Sequence, residues 1–466
     1  MPRKKPNILL IALESTRFDH LSCYGYQRPT TPNIDQVAAE GVLYERAISP
    51  APWTLPSHAC LFTGLHTSQH GTNFNNPRLN PDLMTLAETL AAHGYRTGAF
   101  STNPWINETL NFNKGFDTFR WAKRAFEWLA PIFPRETILE KVVRYVQDYW
   151  RPPSLRNNVL IEKWVKEAQA SDQPFFAYTM YYDPHYPLRP RPPYAKQYLG
   201  EKYGRWLRVN KDPDRYMAGA VQMTEEDFEI LRGLYDSRIA SMDDIIGRLV
   251  KSLRGMGILD DTMLILIADH GENFGEHNLM SHQYCVYDTL VHVPLIIRYP
   301  ARFPTGLRVQ GQVQSTELFT TILDVAGIDR QAVKNDLRGR SLVPDELAVA
   351  PPLPYAISEY LVPNLERMQR LFAKYNWQQY DRAVRSLRRE DYKYIWTSDD
   401  RPELYDLKAD PGETNNLAAA QPELAAEMQG QMDEWLASIN QSDRSAQPVQ
   451  ELSEDVLERL KDLGYL

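Results

Sequence analysis

Cysteine is scarce in this chain. Only Cys23, Cys60 and Cys285 occur in 466 residues, and their spacing forms no pairs, which argues against a disulfide framework and against a thiolate metal site. Long apolar runs are missing too, and none reaches the length needed to span a membrane. Positive charge is not in excess: the formal net charge is -8, which argues against a nucleic-acid reader. No internal repeat or low-complexity block interrupts the chain. The N-terminus, Met1 to Pro6, is basic and leads into Ile8 to Leu13, which mimics the start of a signal peptide. However, the apolar run is short, no small-residue cleavage site follows, and Glu14 comes at once. The run is read as a buried strand, and the expected location is cytoplasmic.

What remains is an ordinary globular composition, 43% hydrophobic and 24% charged, with material for a large core and a smaller second unit. Asn7 to Leu13 is nearly continuous in apolar residues, as expected for a parallel strand covered on both faces. Thr31-Pro32 predicts the start of a helix running through Val37 and Ala38. Leu83 to His93 reads as a second helix closed by Gly94, and Tyr95 to Ser101 as a strand leading to Thr102-Asn103-Pro104. Residues 121–153 are aromatic, charged and broken by Pro131, Pro134 and Pro152, which suggests an insertion beside the core. Further strands are expected at Pro174 to Tyr182, Thr262 to Ala268 and Val293 to Arg298. Helices are expected at Glu225 to Gly255 and at Ser315 to Ala326. After Val343-Pro344 and the proline-rich link Pro351 to Pro354 the texture changes. Ala356 to Tyr360 and Tyr392 to Trp396 read as strands, and Pro422 to Ile439 and Val456 to Leu463 as helices. The division is therefore a catalytic unit over 1–343 and a C-terminal subdomain over 344–466.

Chemistry gathers at predicted strand ends, where open α/β sheets collect ligands. Glu14 follows the first strand. Asp269-His270-Gly271-Glu272 follows the strand Thr262 to Ala268, and Asp183-Pro184-His185 follows Pro174 to Tyr182. The stretch Trp53 to Cys60 sets the Thr54 hydroxyl just before Pro56, read as the first residue of an apolar helix that ends near Gly64. A side chain there faces the positive field of a helix N-terminus. Taken alone, Thr54 reads as an N-cap; beside two carboxylates and an imidazole it reads as a nucleophile. Glu14, Thr54, Asp269 and His270 make a metal-ligand set. A metal there would lower the pKa of the Thr54 hydroxyl, and the alkoxide would attack phosphorus or sulfur to form an ester on Thr54. His185 and His282 are placed to bind anionic oxygens or to protonate the leaving group, and His58 to orient the attacking group or the anion.

Thr54-x-Pro56-Ser57-His58-Ala59, followed by Thr63-Gly64, resembles the Cys/Ser-x-Pro-Ser-Arg signature of the sulfatases. Arg17, Asp19-His20, Tyr24-Gly25-Tyr26 and Thr31-Pro32-Asn33 are similar to the block around the opening strand of that family. Asp183-Pro184-His185 and Asp269-His270-Gly271-Glu272 are similar to later blocks. Glu403 to Leu407, Asp410 to Glu413, Asn416-Leu417 and the closing Leu463 to Leu466 resemble its C-terminal signature. The resemblance covers nearly the whole chain. It implies the alkaline-phosphatase-like α/β fold, with a mixed sheet flanked by helices and a small C-terminal antiparallel sheet. The departures are chemical. Thr54 stands where sulfatases convert Cys or Ser to formylglycine, and Thr cannot give that aldehyde. The family's acidic pair is here Glu14-Ser15, its Asp-Asn pair is Asp269-His270, and His282 lies where many members have Lys. A Gly-Lys-Trp-His block is replaced by Thr102-Asn103-Pro104. The Glu, Thr, Asp, His set resembles the single-metal site of phosphoethanolamine transferases and lipoteichoic acid synthases in the same superfamily. Imidazole in the set favours one Zn²⁺ or Mn²⁺ over Ca²⁺. The reading is a hydrolase of phosphate or phosphonate esters that takes a small anionic ester. Its alternatives are a sulfatase working without formylglycine, a phospho-group transferase and a non-catalytic binding protein.

Overall fold

The computed structural model describes residues 5–121, 152–349 and 353–442, together with Leu457. The strand predicted at Asn7–Leu13 (β1) forms there, and all of its residues after Asn7 are buried. Around it runs an eight-stranded sheet of β2 (Val42–Ile48), β3 (Arg96–Ser101), β4 (Thr118–Trp121), β5 (Phe175–Tyr181), β6 (Thr262–Ala268), β9 (His292–Arg298) and β10 (Leu307–Gln314). The order is β10-β2-β9-β6-β1-β5-β3-β4. β9 pairs antiparallel with both of its neighbours, and the other pairings are parallel. A parallel centre needs cover on both faces, so β1 and β6 carry Ile, Leu and Ala rather than an alternating pattern. A two-stranded hairpin, β7 (Asn273–Phe274) and β8 (Met280–Ser281), hangs from the end of β6.

The helices follow their local signals. α1 (Pro32–Ala39) carries Pro at its start. α2 (Thr54–Thr63) begins two residues earlier than the sequence suggested. The first four N–H groups of a helix have no intrahelical partner, so Pro56 fits the third position as readily as the first. α3 (Leu86–Ala92) starts later than Leu83, because Thr85 and Glu88 form a reciprocal capping box that fixes the N-terminus at Thr85. α4 (Pro153–Ala170) precedes β5. α5 (Glu225–Gly255) is 31 residues long and opens on a capping box of Thr224 and Asp227. Its stripe of Leu231, Leu234, Ile239, Ile245 and Leu249 is buried as expected. Asp243 of α5 accepts the N–H groups of Asn33 and Ile34, capping α1 from outside. α6 (Glu317–Ala326) ends at Gly327. Among the described residues no helix is long and apolar enough to cross a membrane. The expected insertion at 121–153, apart from its ends, and the expected helix at Val456 to Leu463, apart from Leu457, lie outside the described residues.

The second sheet is antiparallel: β11 (Ala356–Tyr360), β12 (Val384–Arg388), β13 (Tyr392–Thr397) and β14 (Glu403–Asp406). α7 (Pro422–Ser438) lays Met428, Met432 and Trp435 against Leu387, Tyr394 and Leu404. This unit is fastened to the first. The Glu359 N–H donates to Pro50 O at 2.9 Å, and the Ser358 hydroxyl to Ser49 O at 2.6 Å. A buried ionic knot joins them as well. Asp288 takes Arg388 Nη2 at 3.0 Å and Lys393 Nζ at 2.9 Å, and Lys393 also reaches Glu413 Oε1 at 2.8 Å.

Burial by itself would raise the Asp288 pKa, but Arg388 and Lys393 outweigh it and hold the carboxyl well below its ordinary 3.8. A depressed carboxyl contributes stability that is fully present above about pH 4 and is lost as pH falls below that value. Denaturant unfolding should therefore show stability falling steadily as pH drops below about 4. Asp288→Asn should cost about 3 kcal/mol or more at pH 7, since it leaves buried cations short of a partner. An Asp288→Asn protein with wild-type stability at pH 7 would show that the knot contributes nothing.

Candidate active site

β1 and β6 are neighbours in register, with Leu13 opposite Ala268. The chain then delivers Glu14 and Asp269 side by side at the same sheet edge. Both are fully buried, as are Thr54 and His270. Thr54 arrives from the far side on the first turn of α2. Two hydroxyls hold that turn to the end of β6: Ser49 Oγ and Ser57 Oγ both donate to Asp269 O, at 2.6 and 2.8 Å. The other end of α2 closes on Gly64 with φ 71°, where a Cβ would lie 2.6 Å from Leu337.

The contacts at the centre are direct. Thr54 Oγ1 donates to Glu14 Oε1 at 2.7 Å and lies 3.3 Å from His270 Nε2. His270 Nδ1 faces Gly271 O at 2.8 Å, so Nε2 is the nitrogen turned to the acids. It lies 3.4 Å from Asp269 Oδ2 and 3.7 Å from Glu14 Oε1. Asp269 Oδ1 accepts the N–H groups of Ser15 and His270, each at 3.0 Å. The first of these bonds depends on Ser15 adopting φ 50°, a sparsely populated conformation for a residue with a Cβ. Tyr235 of α5 holds Ser15 in place by donating to Ser15 O at 2.6 Å.

Asp269 Oδ2 is buried and has no hydrogen-bond partner. A carboxylate oxygen in that state is costly unless a cation meets it. One ligand atom each from Glu14, Asp269 and His270 lie within 4.8 Å of one another, so the residues present fit a divalent ion. The electrostatics agree. Burial, and then the charge of Glu14, push the Asp269 carboxyl up to about 6. Burial would lower the His270 pKa, but Asp269 and Glu14 outweigh it and raise it. The pocket is thus short of positive charge.

Three imidazoles line one side. The His270 and His282 rings are 4.4 Å apart, and the His282 and His185 rings 4.8 Å. Glu272 fixes His282 through its Nδ1 at 3.2 Å, and His185 Nδ1 meets Tyr186 O at 2.5 Å. Burial lowers the pKa of both, that of His185 to about 3. His58 comes in from α2. Its Nδ1 donates to the Thr54 carbonyl at 2.8 Å and lies 3.7 Å from Asp269 Oδ2, and its ring packs edge-on against Tyr178. The structure therefore gathers Glu14, Thr54, Asp269, His270, His282 and His185, with His58 on the next turn of α2 reaching both the Thr54 carbonyl and Asp269.

Three contributors were given no role from the sequence, although Ser57 stands in the signature and Asn103 in the Thr102-Asn103-Pro104 departure. Ser49 and Ser57 work through backbone geometry, which has no composition signal. Asn103 donates Nδ2 to Glu14 Oε2 at 3.1 Å. It is the second residue after β3, so the strand-end rule that finds Glu14 leads to its neighbourhood as well.

The sulfatase family model matches residues 6–328. A second model, described as N-sulphoglucosamine sulphohydrolase, C-terminal, matches residues 275–442. The chain is 27% identical to "Arylsulfatase K" of Bos taurus, over 93% of this chain and 81% of that one. It is 26% identical to "Uncharacterized sulfatase YidJ" of Escherichia coli K12, over 89% and 83%. Among solved structures it is similar to the phosphonate monoester hydrolase of Agrobacterium radiobacter, with TM-score 0.71, 24% identity and coverage of 93% and 95%. It is also similar to the phosphonate monoester hydrolase SpPMH from Silicibacter pomeroyi, with TM-score 0.72, 22% identity and coverage of 95% and 97%.

Proposed function

The chain belongs to the sulfatase family and is a hydrolase acting on ester bonds; on that premise we propose that it cleaves phosphate or phosphonate esters with the Thr54 hydroxyl as nucleophile. The observation that carries this reading is the seat of Thr54 Oγ1, 2.7 Å from Glu14 Oε1 and 3.3 Å from His270 Nε2 at the head of α2. Glu14, Asp269 and His270 would hold one divalent ion, Zn²⁺ or Mn²⁺ ahead of Ca²⁺ given the imidazole. When bound, it supplies Lewis acidity that favours the deprotonated hydroxyl and offsets anionic charge.

The chain's own groups account for the rest. Oγ1 gives up its hydrogen and forms a bond to phosphorus as the bond to the leaving oxygen breaks, and the departing oxygen takes up a proton in exchange for the one Thr54 lost, so the step is proton-neutral. The N–H groups of Thr54 and Leu55, at the N-terminus of α2, would meet the anion, since Pro56 has none and that of Ser57 goes to Trp53 O. His282, with Nδ1 held by Glu272, and His185 beside it stand where an imidazole meets a phosphoryl or leaving oxygen. Water then attacks phosphorus, the Thr54 ester bond breaks, and Oγ1 regains a hydrogen. The two phosphonate monoester hydrolases among the structural neighbours support phosphorus esters as the substrate class.

A substrate panel tests the reading: an aryl phosphate, a diaryl phosphate, an aryl phosphonate monoester and an aryl sulfate, each with Zn²⁺ or Mn²⁺. Turnover of one or more phosphorus esters, at least tenfold faster than the sulfate, is expected. Thr54-dependent turnover of the sulfate alone would favour a sulfatase without formylglycine. Inactivity towards all four would favour transfer to an acceptor alcohol, or binding without catalysis.

A further inference from the structure

Where the family resemblance leads one to expect a lysine block after the third strand, this chain has Thr102-Asn103-Pro104. Asn103 is fully buried. Its amide has a fixed orientation. Oδ1 accepts the Trp105 N–H at 2.8 Å, which leaves the NH₂ group to face Glu14 Oε2 at 3.1 Å. The turn is tied twice more: the Asn103 N–H donates to Ser101 Oγ at 3.2 Å, and the Thr102 hydroxyl donates to Met180 O at 3.0 Å. Trp105, also fully buried, packs edge-on against Trp53, the residue before Thr54, with ring centroids 5.8 Å apart. The same short loop thus touches the carboxylate at one end and the approach to the nucleophile at the other.

Glu14 is consequently held at both oxygens by neutral donors, Oε1 by Thr54 and Oε2 by Asn103. We infer that Asn103 is a positioning residue that makes Glu14 a one-oxygen ligand. By engaging Oε2 it turns Oε1 alone toward Thr54, Asp269 and His270, so a divalent ion meets a single Glu14 oxygen and keeps a coordination place for an anionic oxygen of the substrate. A carboxylate without that bond would be free to rotate, and Oε1 would lose its fixed aim at the site. Second-layer hydrogen bonds of this kind orient ligands, and their loss typically costs about 10- to 100-fold in metal affinity or activity. The inference rests on the proposed cation site, and its test separates the two.

The test is Mn²⁺ titration of purified protein, followed by the loss of the free-ion electron paramagnetic resonance signal. Wild type is compared with Asn103→Leu, Asn103→Ser and Thr102→Val. Leu removes the amide. Ser is too short to reach Glu14 but keeps an oxygen that can accept the Trp105 N–H, so the loop survives. Thermal melting without metal verifies the fold of each. Asn103→Leu and Asn103→Ser should each bind Mn²⁺ about tenfold or more weakly, while Thr102→Val binds as wild type does. Wild-type affinity in a folded Asn103→Ser protein would overturn the positioning role. Equal weakening in Thr102→Val would also overturn it, by assigning the effect to the loop as a whole. Failure of the wild type to bind either Mn²⁺ or Zn²⁺ would instead overturn the cation site, and the inference with it.

Discussion

Replacing Thr54 with Ala should abolish turnover of every ester the wild type cleaves, with kcat falling by about 10³- to 10⁶-fold, the range seen when a covalent nucleophile is removed. The fold should survive. Thr54 is one residue of a ten-residue helix whose other members are all buried, and its neighbour Ser57 keeps its own bond to Asp269 O. The substitution removes one hydroxyl and leaves Glu14 Oε1 without the donor it has now, a change worth about 1 to 3 kcal/mol. A thermal melt shifted by a few degrees beside a complete loss of activity is the expected pair of results. Thr54→Ser gives the complementary control. It restores the oxygen but loses the methyl group that restricts χ1, so it should recover part of the rate. Activity in Thr54→Ala within tenfold of wild type would remove Thr54 as nucleophile, and a similar loss in Thr54→Ser and Thr54→Ala would point to packing rather than chemistry.

Asp269→Asn should lose the divalent ion. Oδ1 is occupied by two N–H groups, so the atom that offers a lone pair to a cation is Oδ2. An amide in that place either turns an NH₂ group into the site or displaces both backbone bonds. Removing one of two buried carboxylates also removes the charge that attracts the ion. Affinity should fall by about 10²-fold or more, and activity should fall with it unless metal is raised to compensate. Without metal the direction reverses. In the wild type, burial and Glu14 work against ionisation of Asp269, so the metal-free Asp269→Asn protein should melt at the same temperature as metal-free wild type or above it. Full metal occupancy in the variant, measured by inductively coupled plasma mass spectrometry after gel filtration, would refute the ligand assignment.

Much of this site was legible in the sequence because parallel strands announce themselves. Asn7–Leu13 and Thr262–Ala268 are apolar without alternation, and the first polar residues after them are Glu14 and Asp269. His185 and His282 could be placed from the loops that carry them. His58 shows where the pattern stops. Sequence puts it four residues after Thr54, on the same helix face, but it cannot say that Nδ1 takes the Thr54 carbonyl in place of its hydroxyl. Strand β10 was missed for a different reason. It is an edge strand whose first five residues are exposed or half-buried, so Arg308, Gln310 and Gln312 mask its period. Ser15 at φ 50° could not be foreseen either, since Ser seldom adopts that conformation and does so here under the grip of Tyr235.

The bonds from Ser358 and Glu359 to Ser49 and Pro50 land on the segment that leads into α2 and Thr54. With the ionic knot around Asp288 and Lys393, they make the small sheet a brace for Thr54 rather than an appendage. The two sheets therefore cannot be traded independently in protein engineering. A chimera joined near residue 343 would graft a foreign sheet under residues 49–50 and leave Asp288 facing the wrong cations, so recombination breakpoints in this scaffold belong elsewhere. Surface loops that carry none of these bonds, such as 305–306 or 399–402, are where foreign sequence can be accommodated.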